Sequence, residues 1–164
     1  MQEYIITEID NTCDAECLAQ EFIRKIKVAV INLKTLHRNL KSGGSKWFQA
    51  HQILDNYTWM LNQAEDRIVE NLIGLGIKDK SIKGSDDILE AKDYTEEEAL
   101  DIVIGMFRDL LSLSMSVREA LKESTGGASD LLAPVFDEFE NTLHLEANYK
   151  LTKALDKEET FNGK

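Results

Sequence analysis

Proline is almost absent from the sequence, which contains only Pro134, and glycine occurs nine times in 164 residues, so little interrupts regular helices. No apolar run approaches the roughly 20 residues that a membrane-spanning helix requires. The first residues also lack the basic-then-apolar order of a secretion signal. We therefore predict a single all-α domain over residues 1–164, with an N-terminal extension (1–13) and a C-terminal tail (157–164). We also predict that the protein is cytoplasmic and does not bind a membrane.

Basic residues and cysteines are also scarce. Lys and Arg number 19 against 30 Asp and Glu, and the net charge is −11, which disfavours binding to a phosphate backbone. The acidic balance suits either attraction of cations or simple solubility. The only cysteines, Cys13 and Cys17, lack partners for a metal site and are interpreted as reduced, semi-buried side chains.

Apolar residues recur at steps of three and four along most of the chain, which is typical of amphipathic helices. The predicted helices cover about 14–41, 45–75, 95–122 and 129 or 130 to 156. Short Gly/Ser breaks join the first two helices and the last two, whereas residues 77–94 form a long connection. Two helical hairpins joined by one long crossover indicate a ferritin-like four-helix bundle. A short helix at about 86–91 is expected within the crossover.

The second predicted helix carries two pairs of potential metal ligands. His51 and Asp55 lie one turn apart, and so do Asp66 and Glu70. Asp66 follows Asp55 by 11 residues, only about 20° past three full turns, so both pairs share one face. Each pair alone is common on solvated helices, which leaves an ordinary polar surface open as an alternative.

The two pairs are too far apart to meet within one chain, because their midpoints are separated by about 22 Å along the axis. Two copies of the helix, packed antiparallel about a two-fold axis, would place one chain's His51 and Asp55 opposite the other chain's Asp66 and Glu70. An isologous dimer creates two such sites at once. The spacing therefore favours a metal site shared between chains.

The segment from Leu33 to Gly76, which includes LKTLH, the Gly pair, WFQAHQILD and the later EDRIVE, resembles the signature of the Dps proteins, mini-ferritins of the ferritin superfamily. The similarity extends to YTEEEALDIVIGMFRDLL and to the last predicted helix. The resemblance implies a hollow homo-dodecamer built from two-fold dimers. It also implies a ferroxidase that oxidises Fe(II) to Fe(III) with hydrogen peroxide (or O2), stores the iron and protects the cell from oxidative damage.

The resemblance further implies that His51 and Asp55 of one subunit, with Asp66 and Glu70 of the other, are catalytic iron ligands. The family's additional first histidine falls at Asn39 by simple counting, but His37 takes that place if two residues are inserted in the following loop. His37 is favoured, because it lies on the inward helical stripe and Asn39 does not. The alternative is that His37 is a core histidine and Asn39 weakens the site. Arg38 replaces the family's usual tryptophan; Trp47 or Trp59 could compensate, although both also suit simple packing.

Other positions lead to weaker predictions. Asp130 resembles an acidic residue of the family's iron-entry pores, with Asp137 on the same face, although Asp130 also suits a helix cap. His144 is interpreted as structural or surface-exposed. No tight DNA binding is expected at physiological salt, because no Lys or Arg precedes Arg24. The alternative function is a Dps-like cage with a degraded ferroxidase centre, acting by DNA association in the nucleoid or as a structural binding protein.

Overall fold

The structure, a computed structural model, describes residues 13–126, 130 and 132–145. These residues form four helices: α1 (Ala15–Arg38), α2 (Trp47–Gly74), α3 (Glu96–Thr125) and α4 (Ala133–Leu145). The described ranges contain no β-strand. Helix α1 packs against α2 and α3, and α3 packs against α4. The predicted all-α four-helix bundle is confirmed.

The helix ends follow local capping chemistry. Asp14 caps α1 by accepting a hydrogen bond from the backbone N–H of Cys17 (2.9 Å). Thr95 and Glu98 form a reciprocal capping box at the start of α3, as the sequence TEEE predicts. At its other end, α3 stops at Gly126, whose φ of 61° is the left-handed conformation that favours glycine. Helix α4 begins at Ala133 rather than at 129 or 130, and its predicted extension to 156 lies outside the described residues.

The core is formed by the apolar stripes of the four helices. Phe22 of α1 lies 5.9 Å, ring centroid to ring centroid, from both Phe136 and Phe139 of α4. Tyr57 of α2 packs edge-on against Phe107 of α3 at 5.1 Å. These rings are buried, as are most apolar side chains on the inward face of α1. This packing fixes the positions of the four helices relative to one another.

The crossover at 77–94 contains no helix, so the short helix expected near 86–91 is wrong. The reason is Asn32 of α1, which is only 4% exposed. Its side chain forms hydrogen bonds with backbone groups of the crossover that would otherwise pair within a helix. Its side-chain N–H donates to the carbonyl of Asp87, and its carbonyl accepts from the N–H of Leu89, both at 2.9 Å. The Arg24 guanidinium also binds the Asp87 carboxylate at 2.7 Å. The crossover is thereby held extended against α1.

The prediction of reduced, semi-buried thiols at Cys13 and Cys17 is also wrong. The two residues form a disulfide across the first turn of α1, with Cα atoms 5.2 Å apart, and both are exposed. A spacing of four residues at a helix start brings the two Cβ atoms within reach of each other.

Candidate metal centre

Two histidines from different helices meet at one end of the bundle. His37 lies in the last turn of α1 and His51 in the second turn of α2. Their ring centroids are 4.1 Å apart with an interplanar angle of 84°. Asp55 lies one turn beyond His51, and its Oδ1 is 3.4 Å from the Nδ1 of His37. The fold therefore places three potential ligands side by side, from positions far apart in sequence.

The structure places His37, and not Asn39, beside His51. Asn39 follows the last residue of α1, where its side-chain N–H donates to the carbonyl of Thr35 at 2.8 Å. Its side chain therefore caps the helix that carries His37. The assignment of iron ligands stays a prediction, but the geometry agrees with the interpretation that the loop after α1 carries the two inserted residues.

Trp47, the first residue of α2, fixes the surroundings of His51. The two rings stack with centroids 4.7 Å apart at 28°. The indole N–H donates to the carbonyl of Leu40 (3.2 Å). The loop containing Leu40 is tied in turn to the end of the crossover, because the N–H of Lys41 donates to the carbonyl of Tyr94 at 2.8 Å. Arg38 is exposed, so Trp47 is the aromatic residue that contacts this site.

The electrostatics keep His37 neutral. Burial lowers the pKa of His37, and the neighbouring His51 and Arg38 lower it further. Asp55 acts in the opposite direction, but its side chain is 67% exposed and solvent screens its charge. The neutral imidazole is the form that binds a metal, so this environment suits a ligand at neutral pH.

Asp66 and Glu70 lie elsewhere on α2. Both are exposed and lie about 22 Å along the helix from the His51–Asp55 pair at 1.5 Å per residue. In the part of the chain that the structure describes, no group of three or more His, Cys, Asp or Glu side chains is arranged to hold a metal ion. One chain brings together His37, His51 and Asp55, but it does not bring Asp66 and Glu70 to them.

The outer face of α2 is not an ordinary polar surface. Phe48 is 71% exposed and Trp59 is 67% exposed, and Ile73 is also exposed. At 100° per residue these three side chains fall with Asp55, Asp66 and Glu70 within an arc of roughly 60°. We define this set of six residues as the α2 outer stripe. Large apolar side chains in line on an exposed helix are typical of a surface that contacts another protein.

Asp130 and Asp137, the residues predicted to line iron-entry pores, lie near α3 and α4 rather than near the histidine pair. Asp137 forms an ion pair with Arg118 of α3 at 2.8 Å, and the same guanidinium binds Glu140 at 2.7 Å. Asp130 is exposed and lines a groove of about 390 Å³ that Arg118 and Glu140 also line. Sequence reasoning missed Arg118, because an ion pair between two helices leaves no local spacing signal. The positive charge of Arg118 therefore offsets part of the negative charge expected around Asp130 and Asp137. His144 is exposed on α4.

Comparison with solved structures defines the fold. The structure of antigen TpF1 from Treponema pallidum matches with a TM-score of 0.71 and 25% identity, over 86% of this chain and 90% of that chain. Dps from Microbacterium arborescens, solved in a high iron form, matches with a TM-score of 0.67 and 18% identity, over 87% and 95% of the two chains. The chain has the Dps fold.

A further Dps structure, Dps92 from Deinococcus radiodurans, matches with a TM-score of 0.61 at 9% identity, over 79% of this chain and 83% of that chain. No protein-family model and no curated protein matches the sequence. Among the described residues, no helix is long and apolar enough to cross a membrane. Within this fold, the histidine pair lies at one end of α2, and the exposed Asp66 and Glu70 lie towards its other end.

Proposed function

We propose that this protein is an iron-oxidising and iron-storing cage, in which Fe(II) is oxidised by hydrogen peroxide (or O2) at sites shared across a two-fold dimer interface. The observation that carries the proposal is the α2 outer stripe. It combines exposed potential ligands with exposed Phe48, Trp59 and Ile73. The apolar side chains favour contact with a second chain, and such a contact would bring histidines to the carboxylates of the same surface. The Dps fold supports the same conclusion.

The two-fold arrangement follows from the order of groups along the stripe. When a second α2 packs against the first in the opposite direction, each chain's histidine end faces the other's carboxylate end. His37, His51 and Asp55 of one subunit then form a ligand set with Asp66 and Glu70 of the other. The apolar side chains between these ends are buried at the same time. Each buried large apolar side chain contributes on the order of 1.5–3 kcal/mol to association before its entropic costs.

The ligand types fit iron as the substrate. A mixed shell of imidazole and carboxylate with open positions suits redox-active iron, whereas structural zinc prefers closed tetrahedral sites. In the proposed reaction two Fe(II) ions each lose one electron. Hydrogen peroxide accepts both electrons and takes up two protons as its O–O bond breaks, which gives two water molecules. The lowered pKa of His37 keeps its ring available for Fe(II) at neutral pH.

The direct test is anaerobic addition of Fe(II) and then hydrogen peroxide to the metal-free protein, followed by ferric absorbance. We expect His51→Ala to slow the initial rate at least tenfold, because it removes a ligand. His144→Ala is the matched control, since it removes an exposed histidine outside the site. An unchanged rate in His51→Ala would locate the oxidation elsewhere.

The assembly and setting belong to the same proposal. We expect a cytoplasmic homo-dodecamer of two-fold dimers, with Asp130 and Asp137 near the routes by which iron enters. Light scattering coupled to gel filtration measures the assembly size. The alternative cage that associates with DNA predicts a gel shift at about 150 mM salt, whereas the acidic chain proposed here should give none.

A further inference from the structure

The disulfide between Cys13 and Cys17 is a second potential site of chemistry. It lies at the start of α1, far from the histidine pair, because the 20 residues from Cys17 to His37 span about 30 Å of helix. Both cysteines are exposed, so small molecules can reach the bond from solvent. The first buried residue of α1 is Ala19, after the bridge. The disulfide therefore lies outside the packed core.

The bridge is a weak structural staple. It closes a loop with only three intervening residues, so it removes little chain entropy from the unfolded state compared with a bridge across a long loop. It also connects the residue before the N-cap of α1 to the first turn of the same helix, rather than joining two helices. Asp14 already caps this turn by accepting the N–H of Cys17. The fold does not need the bridge to join its parts.

The position of each sulfur suits exchange with thiols. Cys17 lies in the first turn of α1, where the positive end of the helix dipole stabilises an anionic thiolate. Cys13 precedes the helix. A thiol that attacks the Cys13 sulfur expels Cys17 as the thiolate, and a stabilised thiolate leaves more easily. An exposed disulfide of this kind is typical of redox-active rather than structural bridges.

We propose that Cys13 and Cys17 form a reversible redox site whose substrates are low-molecular-weight thiols in one direction and hydroperoxides in the other. In reduction, two thiol molecules give the dithiol and one small-molecule disulfide. In oxidation, the Cys17 thiolate attacks the outer peroxide oxygen, and one alcohol or water leaves. Cys13 then attacks the resulting sulfenic acid, the S–S bond re-forms and water leaves. This activity consumes peroxide without iron and goes beyond the proposed function.

The test uses the intact, metal-free protein so that iron chemistry does not contribute. Native protein is treated with reduced glutathione, alkylated with iodoacetamide and mapped by peptide mass spectrometry, while circular dichroism follows helix content. We expect alkylation of both cysteines with the helices intact, and a transient glutathione adduct on Cys13. Alkylation only after unfolding, or an adduct confined to Cys17, would overturn the proposal.

The peroxide half is tested on the reduced protein. We expect one hydrogen peroxide to be consumed for each disulfide formed, several-fold faster than in the urea-unfolded chain, which has the same thiols without the helix. Cys17→Ser should lose the fast reaction. Cys13→Ser should keep the first step and leave a sulfenic acid that dimedone traps. Equal rates in folded and unfolded protein, or fast reaction in Cys17→Ser, would refute the mechanism.

Discussion

Mixing two inactive variants is the sharpest test of a site shared between chains. His51→Ala damages the histidine half, and Glu70→Ala damages the carboxylate half. In a mixed two-fold dimer, both lesions fall in one site, and the other site receives an intact half from each chain. The far separation of the two halves along α2 makes this outcome possible, because no chain supplies both halves to the same site.

The expected magnitude follows from counting sites. Random pairing of equal amounts makes about half of the dimers mixed, and each mixed dimer has one intact site in two, so about one quarter of all sites are restored. We therefore expect each variant alone to be near background and the co-expressed pair to recover about one quarter of the wild-type rate of ferric absorbance. Native mass spectrometry with two different tags measures the fraction of mixed dimers.

A matched control makes the result decisive. Co-expression of His51→Ala with Asp55→Ala places both lesions in the same half, so every site in a mixed dimer carries one lesion and no recovery is expected. Absence of recovery with Glu70→Ala, in a sample shown to contain mixed dimers, would refute the shared site. Equal recovery in the two pairings would refute it as well.

Two further predictions concern the single chain. Asn32→Ala leaves two backbone groups of the crossover without partners, and we expect a loss of about 2–4 kcal/mol in the free energy of unfolding measured in urea. The exposed control Asn56→Ala should lose about 0.5 kcal/mol or less. Equal losses would contradict the role of Asn32. The pKa of His37 should lie below the ordinary histidine value in NMR of the metal-free protein, and Asp55→Asn should lower it further. Because the folded-state pKa is depressed, the neutral His37 ring favours folding above the unfolded-state pKa, and this contribution is lost as the pH falls through the folded-state pKa.

The sequence predicted the elements that depend on local pattern. The four helices, the Thr95 capping box and the placement of His37 on the inward stripe all follow from spacing and capping chemistry. Helix α1 ends at Arg38 rather than near residue 41, because Asn39 caps it and Leu40 pairs with Tyr94 of the crossover. That pairing is a tertiary contact, which periodicity along the chain does not encode.

The remaining differences have the same origin. The crossover is extended because a buried asparagine from α1 binds its backbone, and the charge of Asp137 is offset by a guanidinium from α3. The sequence alone does not predict the disulfide, because a cytoplasmic compartment favours reduced thiols. For the crossover and for Asp137, the residue that decides the outcome lies on another helix. For the cysteines, the general expectation of reduced thiols favours the wrong state.

The continuity of α2 limits how this protein can change during evolution. A residue gained or lost between Asp55 and Asp66 would rotate one of the two predicted ligand pairs by about 100° relative to the other and turn it off the shared face. A residue added to the loop between α1 and α2 would not change this phase, because the loop precedes α2, and the Trp47 indole holds the Leu40 carbonyl across the loop. The length of α2 between Asp55 and Asp66 is therefore more constrained by the shared face than the length of the loop before it.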